Sequence, residues 1–267
     1  MSAHPSEIES QSPALEAFLL GQLDFERVLA LQQRLVRESR DRDDGQITLL
    51  LCEHPALITV GRGGSPGDIA QQSSLVRHRQ IEVRWVNRGG GCIVHCPGQL
   101  AIYPIVPLRW HGFSVGEFSH RFQAALIATL ADLNVQGSTS RDGKGDGFVL
   151  PKRPAGYLAQ NVPAPFSAPG VWGRTGQLAT IGVAVRHWVT YYGAYLNVCP
   201  PMGLFRLVES DPRGQTQMSC LVAERRGSAK MPAVRAALVR RLTECFGCDR
   251  YHLYTGHPLL RNRRAVG

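Results

Sequence analysis

In the stretch VNRGGGCIVHCPGQLAIYPI, residues 86–105, three glycines follow an arginine and a histidine stands between two cysteines. Gly89, Gly90 and Gly91 carry no Cβ, so a ligand can approach their backbone closely. His95 can exchange a proton or donate a hydrogen bond beside that backbone. Cys92 and Cys96 add thiols, which become nucleophiles once ionised. Two familiar readings fail on spacing: the phosphate-loop pattern GxxxxGK(S/T) is absent, and no GxGxxG opens a helix after a strand. By itself the stretch also fits a tight turn between strands with a merely hydrogen-bonded histidine.

A second set lies near the end of the chain. CFGCDRYHLYTGH offers Cys245, Cys248, His252 and His257, separated by two, three and four residues. A CxxC followed by two histidines is a plausible zinc set, although these gaps are shorter than those of the usual finger.

The elements that must position these groups are legible in outline. Residues 13–40 carry Leu15, Phe18 and Leu19, then Val28, Leu29, Leu31 and Leu35, at near-helical spacing, which predicts one helix. ITLLLCEH, LITVGRGG, IEVRWVNR and LAIYPIVPL read as strands, and GQLATIGVAV and HWVTYYGAYLNV as a strand pair turning near Arg186 and His187. Residues 115–133 and 231–246 read as helices. Residues 137–176 are rich in Gly, Pro and Ser and predict a long loop or irregular excursion. The alternation of strand pairs and flanking helices predicts an α+β fold. Residues 1–230 are expected to form one unit, with a basic helix and tail, 231–267, packing on it.

The chain has 267 residues, 43% apolar and 19% charged, enough to bury a full core and unlike a disordered protein. No stretch approaches the ~20 apolar residues of a membrane span. The N-terminus is polar and does not read as a secretory signal. Seven cysteines in a chain of this size suit reduced thiols and a cytoplasmic setting better than a disulfide scaffold. The formal charge of +9 predicts an acidic partner whose association weakens with salt. Arg62, Arg88, Arg174 and Arg186 stand in or beside the motifs and could steer it. No nucleic-acid signature accompanies the charge.

Three segments in register carry a resemblance. EHPALITVGRG (Glu53–Gly63), RGGGCIVHCPGQLAIYPI (Arg88–Ile105) and LATIGVAVRHWVTYYGAYLNV (Leu178–Val198), with GVW at Gly170–Trp172 and SCLVAE after Ser219, together resemble the lipoyl(octanoyl) transferase family over roughly residues 45–225. The resemblance implies a biotin/lipoate protein ligase-like domain, a mixed sheet flanked by helices. It implies octanoyl transfer from an acyl carrier protein to a lysine of an acidic lipoyl domain, through a cysteine and a partner lysine. No metal, nucleotide or other cofactor is implied; ATP-dependent ligase chemistry is a weaker runner-up, which needs a lysine near the carboxylate-activation site and which Gln177 argues against. Substrate binding is expected at Arg88, Gly89, Gly90, Gly91, His95, Gly98 and Gln99, at Thr180, Ile181 and Gly182, and at Gly193, Ala194 and Tyr195.

The sequence departs from the family at its chemical positions. The lysine position is Gln177 and the cysteine position is Asp211, in the loop Ser210–Arg213. Ile93, Val94 and Cys96 replace the residues around the family's histidine in the RGG loop, and Tyr192 replaces the family's second histidine. Gln cannot usefully exchange a proton, and Asp is a poor nucleophile toward a thioester. Three expectations follow: a relocated thiol, with Cys96 beside His95 first and Cys220 and Cys199 next; a pseudoenzyme that binds acyl chains or carrier and lipoyl domains; or the zinc set above.

Overall fold

A computed structural model describes residues 14–42, 44–70, 74–78, 80–140, 170–208 and 217–260. In chain order the elements are β1 (Leu15–Gln22), α1 (Phe25–Arg42), β2 (Ile47–Glu53), β3 (Leu57–Val60), α2 (Ser74–Arg77), β4 (Glu82–Trp85), β5 (Cys92–His95) and β6 (Gln99–Ile105). Then follow α3 (Val115–Asp132), β7 (Gly170–Trp172), β8 (Gln177–Arg186), β9 (Val189–Asn197), α4 (Leu221–Arg225), α5 (Met231–Phe246) and β10 (Tyr251–Thr255).

The expected single helix over 13–40 is instead a strand followed by a helix. Leu15–Leu20 is a dense apolar run, which periodicity cannot assign between buried strand and buried helix. Gly21 at φ +69° sits at a β-bulge, after which Gly21 and Gln22 still pair with Cys52 and Glu53 before the strand ends. Asp24 then accepts from the backbone N–H groups of Glu26 (2.9 Å) and Arg27 (3.3 Å), and so caps α1. The run pairs in parallel with β2 on one side and β10 on the other. β10 was not anticipated either, although its sequence, YHLYT, is rich in strand formers.

Seven strands form one mixed sheet in the order β10-β1-β2-β6-β9-β8-β7, and three form a second in the order β4-β3-β5. One face of the large sheet buries Leu49, Ile102, Ile181, Ala194 and Leu196 against Phe118, Phe122 and Leu126 of α3 and Leu238 and Leu242 of α5. The other face buries Leu50, Tyr103 and Tyr195 against Val28, Leu31 and Leu35 of α1. The small sheet covers the rest of that second face. Its own apolar side, Ile58, Val60, Val94 and Cys96, packs on Phe205, Leu207 and Val208. The architecture is α+β, with helices on both sides of a mixed sheet. Most of the long Gly/Pro-rich excursion and the basic tail after residue 260 fall outside the described residues. No helix among the described residues is long and apolar enough to cross a membrane.

Candidate functional site between the two sheets

The RGGG loop joins β4 to β5 and lies on a second glycine-rich turn after β3. Gly61 N–H donates to Gly91 O (3.1 Å), Arg62 to Arg88 O (3.0 Å) and Gly63 to Gly90 O (3.0 Å). A Cβ on Gly61 would collide with the Gly90 carbonyl and the Arg88 guanidinium. The loop then docks on the large sheet, where Gly89 N–H donates to Val183 O at 3.0 Å. It does so over a cross-strand glycine pair, Gly182 and Gly193. A Cβ on Gly182 would stand 2.7 Å from Gly89 O. These glycines serve backbone-to-backbone approach, which the sequence signalled, but the partner of that approach is the protein itself.

Arg88 turns inward and is fully buried. Its Nη1 donates to Gly89 O and Gly91 O (both 3.0 Å), and its Nη2 to Thr59 O (2.9 Å) and Thr59 Oγ1 (2.6 Å). All four acceptors are uncharged, and burial lowers the guanidinium's pKa. Thr59 Oγ1 accepts from Arg88 and shares a second hydrogen bond with His95 Nε2, 2.8 Å away, in which either atom can donate. Burial, followed by the charges on His54 and Arg88, holds His95 well below its ordinary pKa.

His95 stands in a buried cluster of rings: Tyr195 at 4.5 Å between centroids, Phe25 at 5.5 Å and His54 at 5.9 Å. His54 Nδ1 donates to Leu23 O (2.7 Å), so Nε2 accepts from the Tyr103 hydroxyl (2.7 Å). His54 and Thr59 lie in the quoted motif. Phe25 and Tyr103 were missed, though Tyr103 was recoverable, since it alternates with Gln99 and Ala101 onto one face of β6.

Burial pushes the His54 pKa down to about 4 from 6.5. Between those values the unfolded chain binds a proton that the native state refuses. The contribution to stability is therefore whole above pH 6.5 and shrinks as the pH falls toward 4. We expect denaturant unfolding to show a loss of roughly 3 kcal/mol across that window, and His54→Phe to remove that part of the slope. Equal pH dependence in the two proteins would exclude this role for His54.

The remaining sequence-derived residues divide. Thr180, Gly182, Gly193 and Tyr195 pair across β8 and β9 on the face under the loop. Ile181 and Ala194 lie in the opposite apolar cluster with α3 and α5, so they do not face the site. Gln99 uses both amide protons, on Val94 O and Asn197 Oδ1 (each 3.0 Å), and Gly98 donates to Glu53 Oε2 (2.8 Å); both build the turn after β5. Gln177 is buried, with its side chain donating to Ala179 O at 3.2 Å. Tyr192 holds φ +55°, an irregularity within β9 secured by its N–H to Gln32 Oε1 (2.7 Å). Asp211 lies outside the described residues.

The structure does not bring the Cys96 thiol to the His95 ring. Alternation along β5 sends Ile93 and His95 toward the large sheet, whereas Val94 and Cys96 go into the small sheet's apolar cluster. There burial pushes the thiol up to about 12. The thiol nearest a site imidazole is Cys52, with Sγ 3.6 Å from His54 Nε2, and burial raises it further still. Cys220 is buried and Cys199 exposed. Iodoacetamide at pH 8 should label Cys199 promptly, and Cys96 only after denaturation, as read by peptide mass. Prompt labelling of Cys96 would overturn its burial.

The four zinc candidates are not gathered. Cys245 and Cys248 belong to the apolar core around α5, His252 is exposed on β10, and His257 packs 4.5 Å from Phe18. No metal-holding group of three His, Cys, Asp or Glu occurs among the described residues. The CxxC closes the end of α5 instead, with Gly247 at φ +75° and Cys248 N–H donating to Thr243 O at 2.9 Å. Of the four motif arginines, Arg88 is buried, so it is no surface steering group. Arg62 donates to Asn87 O (3.0 Å) and Oδ1 (3.1 Å), Arg174 pairs with Glu224 (3.2 Å), and Arg186 is exposed at the end of β8.

Residues 24–243 match the family model of the lipoyl protein ligase A/B catalytic domain. An octanoyltransferase of Geotalea uraniireducens is 33% identical over 222 residues, 83% of this chain and 88% of that protein. An octanoyltransferase of Syntrophotalea carbinolica is 35% identical over 180 residues, 67% of this chain and 70% of that protein. Among solved structures, a lipoate-protein ligase A bound with ATP superposes with TM-score 0.68 at 13% identity, covering 93% of this chain and 90% of that one. A putative lipoate protein ligase of T. acidophilum with bound lipoic acid gives TM-score 0.61 at 13% identity, covering 93% and 91%. At such identities these structures speak for the fold, which is that of the lipoate ligases. The sequence matches speak for descent: the chain is a member of the lipoyl protein ligase A/B catalytic-domain family.

Proposed function

We propose that this chain works on the acyl group of protein lipoylation, taking it as a carrier-protein thioester and presenting it to a lysine of a lipoyl domain. The observation that carries this reading is the docking of the RGGG loop over the Gly182–Gly193 pair, with His95 and the uncompensated Arg88 charge buried beside it. Relatives named octanoyltransferase and a solved T. acidophilum ligase described with its E2 lipoyl domain support the substrate class.

In this site the transfer is direct. Among the described residues no ionised thiol and no lysine stands beside His95, and Gln177 holds the place where the family has its lysine. The amine of the lipoyl domain attacks the thioester carbonyl, an amide bond forms, the C–S bond breaks, and the thiol leaves with the displaced proton. Buried donors near the carbonyl oxygen favour that step because charge develops there. Mixing the full chain with octanoyl carrier protein and a lipoyl domain should acylate the lipoyl domain and leave no acyl adduct on the chain, by intact mass. An adduct on Cys96 or another cysteine would replace the direct path with a relocated nucleophile. A second reading, acyl or carrier binding without transfer, is favoured by the neutral Gln177 and by the buried thiols. Binding of the carrier with no acylated lipoyl domain would select it.

If the partner is acidic, association should weaken several-fold between low and physiological salt. Salt-independent binding would remove the electrostatic role of the net positive charge.

A further inference from the structure

The strand pair β8–β9 turns in two residues. Arg186 pairs with Val189, and between them His187 and Trp188 hold φ +52° and +61°. A two-residue hairpin turn with both φ values positive is ordinarily built from Asn and Gly, because larger side chains are disfavoured there. This turn instead holds a tryptophan, 43% exposed. Backbone strain of this kind persists only where neighbouring contacts enforce it, and it clusters at functional positions. Here Leu108 N–H donates to Trp188 O at 2.8 Å, and the Arg109 guanidinium lies 4.9 Å from the centre of the indole ring. A cation over an aromatic face is attracted to it, so ring and guanidinium hold each other in place.

The surface is cationic as well as aromatic. Arg109 and Arg186 are exposed, and among the described residues neither meets a carboxylate. By contrast Arg84, Arg121, Arg235 and Arg241 all pair with carboxylates. Trp110, next to Arg109, is 45% exposed and lies against Gly45. Tryptophan and arginine are enriched among the side chains that carry the binding energy of protein interfaces. Two unneutralised guanidinium groups beside them suit an acidic partner.

The turn stands close to the site. Gly89 N–H of the RGGG loop donates to Val183 O, three residues before Arg186. At about 3.3 Å per residue, the turn starts roughly 10 Å from the docked loop. A standard interface covers about 800 Å² on each partner, a patch about 30 Å across, so a partner seated over the loop also reaches the turn. Lysine carries its amine on only a four-carbon stem. A domain that offers a lysine must therefore rest on the rim of the site, whereas a carrier protein delivers its thioester on a longer arm.

Resting on the acyl-transfer reading above, we propose that Trp188, Arg109 and Arg186 form the docking platform for the acidic lipoyl domain. Carboxylates of the domain meet the guanidinium groups, and its apolar side chains pack on the exposed indole.

The test measures calorimetric binding of an unmodified lipoyl domain to the full chain, and transfer to it from octanoyl-pantetheine, a donor with no protein surface. Trp188→Asn and Arg109→Glu should each weaken domain binding about tenfold and raise the KM for the domain by the same factor. The KM for octanoyl-pantetheine should not move. Asn suits the positive φ, so Trp188→Asn should hold or raise the melting temperature while binding falls; a merely structural role would move the two together. Tyr251→Ala, an exposed aromatic on the far edge strand of the sheet, is the control and should bind as the wild type does. Unchanged domain affinity in both variants of a wild type that transfers octanoyl overturns the platform and leaves acyl transfer standing. Weakened domain binding in the variants of a wild type that transfers nothing supports the platform and overturns the transfer reading. A wild type that neither binds nor acylates the domain overturns both. If the two variants instead lose only carrier-protein binding, or only cosedimentation with phosphatidylglycerol vesicles, the lipoyl domain is not the occupant.

Discussion

Gly193→Ala should leave the protein insoluble or lower its melting temperature by roughly ten degrees. The β-carbon would be driven into the backbone carbonyl of Ile102, with the ring of Pro104 only 3.0 Å away on the same side. Neither obstacle is the far end of a flexible side chain. β6 and β9 would have to part, and their ladder from Gln99–Asn197 to Ile102–Ala194 would stretch. Losses above 4–5 kcal/mol are exceptional for a single substitution and arise from such backbone conflicts. At 2–4 °C per kcal/mol for a domain of about this size, a loss of ~4 kcal/mol gives the stated shift. Gly203→Ala, with nothing within 4 Å of the added carbon, is the control and should move the midpoint by a degree or two. A Gly193→Ala protein melting beside the control would mean that β9 does not approach β6 as closely as described.

That glycine also shows what the sequence could and could not convey. The quoted motifs located the RGGG loop, the IGV strand and the YYGAY strand, and these three do meet. Gly-rich spacing announces close backbone approach but does not name what approaches. A ligand was expected at Gly89–Gly91, and the nearest groups are Val183 O, the turn after β3 and the Arg88 side chain. Ile181 and Ala194 were placed in the site because motif adjacency ignores the period-two alternation that sends neighbours to opposite faces. The same oversight put Cys96 beside His95. Leu15–Leu20 reads as helix because a short run, apolar but for Glu16, has no clear period, and its parallel partner β10 lies more than two hundred residues away in the chain. The buried relay His54–Tyr103 and the inward turn of Arg88 depend on packing between two sheets, which no local pattern encodes.

Arg88→Met should abolish acyl binding and lower global stability by about 3 kcal/mol, with Arg88→Lys recovering little of either. Two effects oppose each other. Replacing a buried charge by an apolar side chain of similar length can be neutral or stabilising, because the desolvation cost of the charge disappears. Here, however, no carboxylate shares the burial, and the guanidinium serves four fixed acceptors. Its loss takes the guanidinium donor from Thr59 O inside β3, at about 1–3 kcal/mol, while Thr59 Oγ1 keeps its bond to His95 Nε2. Gly89 O and Gly91 O belong to a loop that can turn outward, so their cost is escaped by opening the loop. Lysine supplies a point charge with mobile donors and cannot span both Thr59 and the two glycine carbonyls as the planar fork does. Hydrogen exchange resolves the two components. Faster exchange confined to Gly61–Gly63 and Gly89 in Arg88→Met, alongside a lowered unfolding midpoint, is the expected pattern, since those amides hold the loop down. Unchanged protection of those amides with full acyl binding would show that Arg88 is neither the pin of the loop nor part of the site.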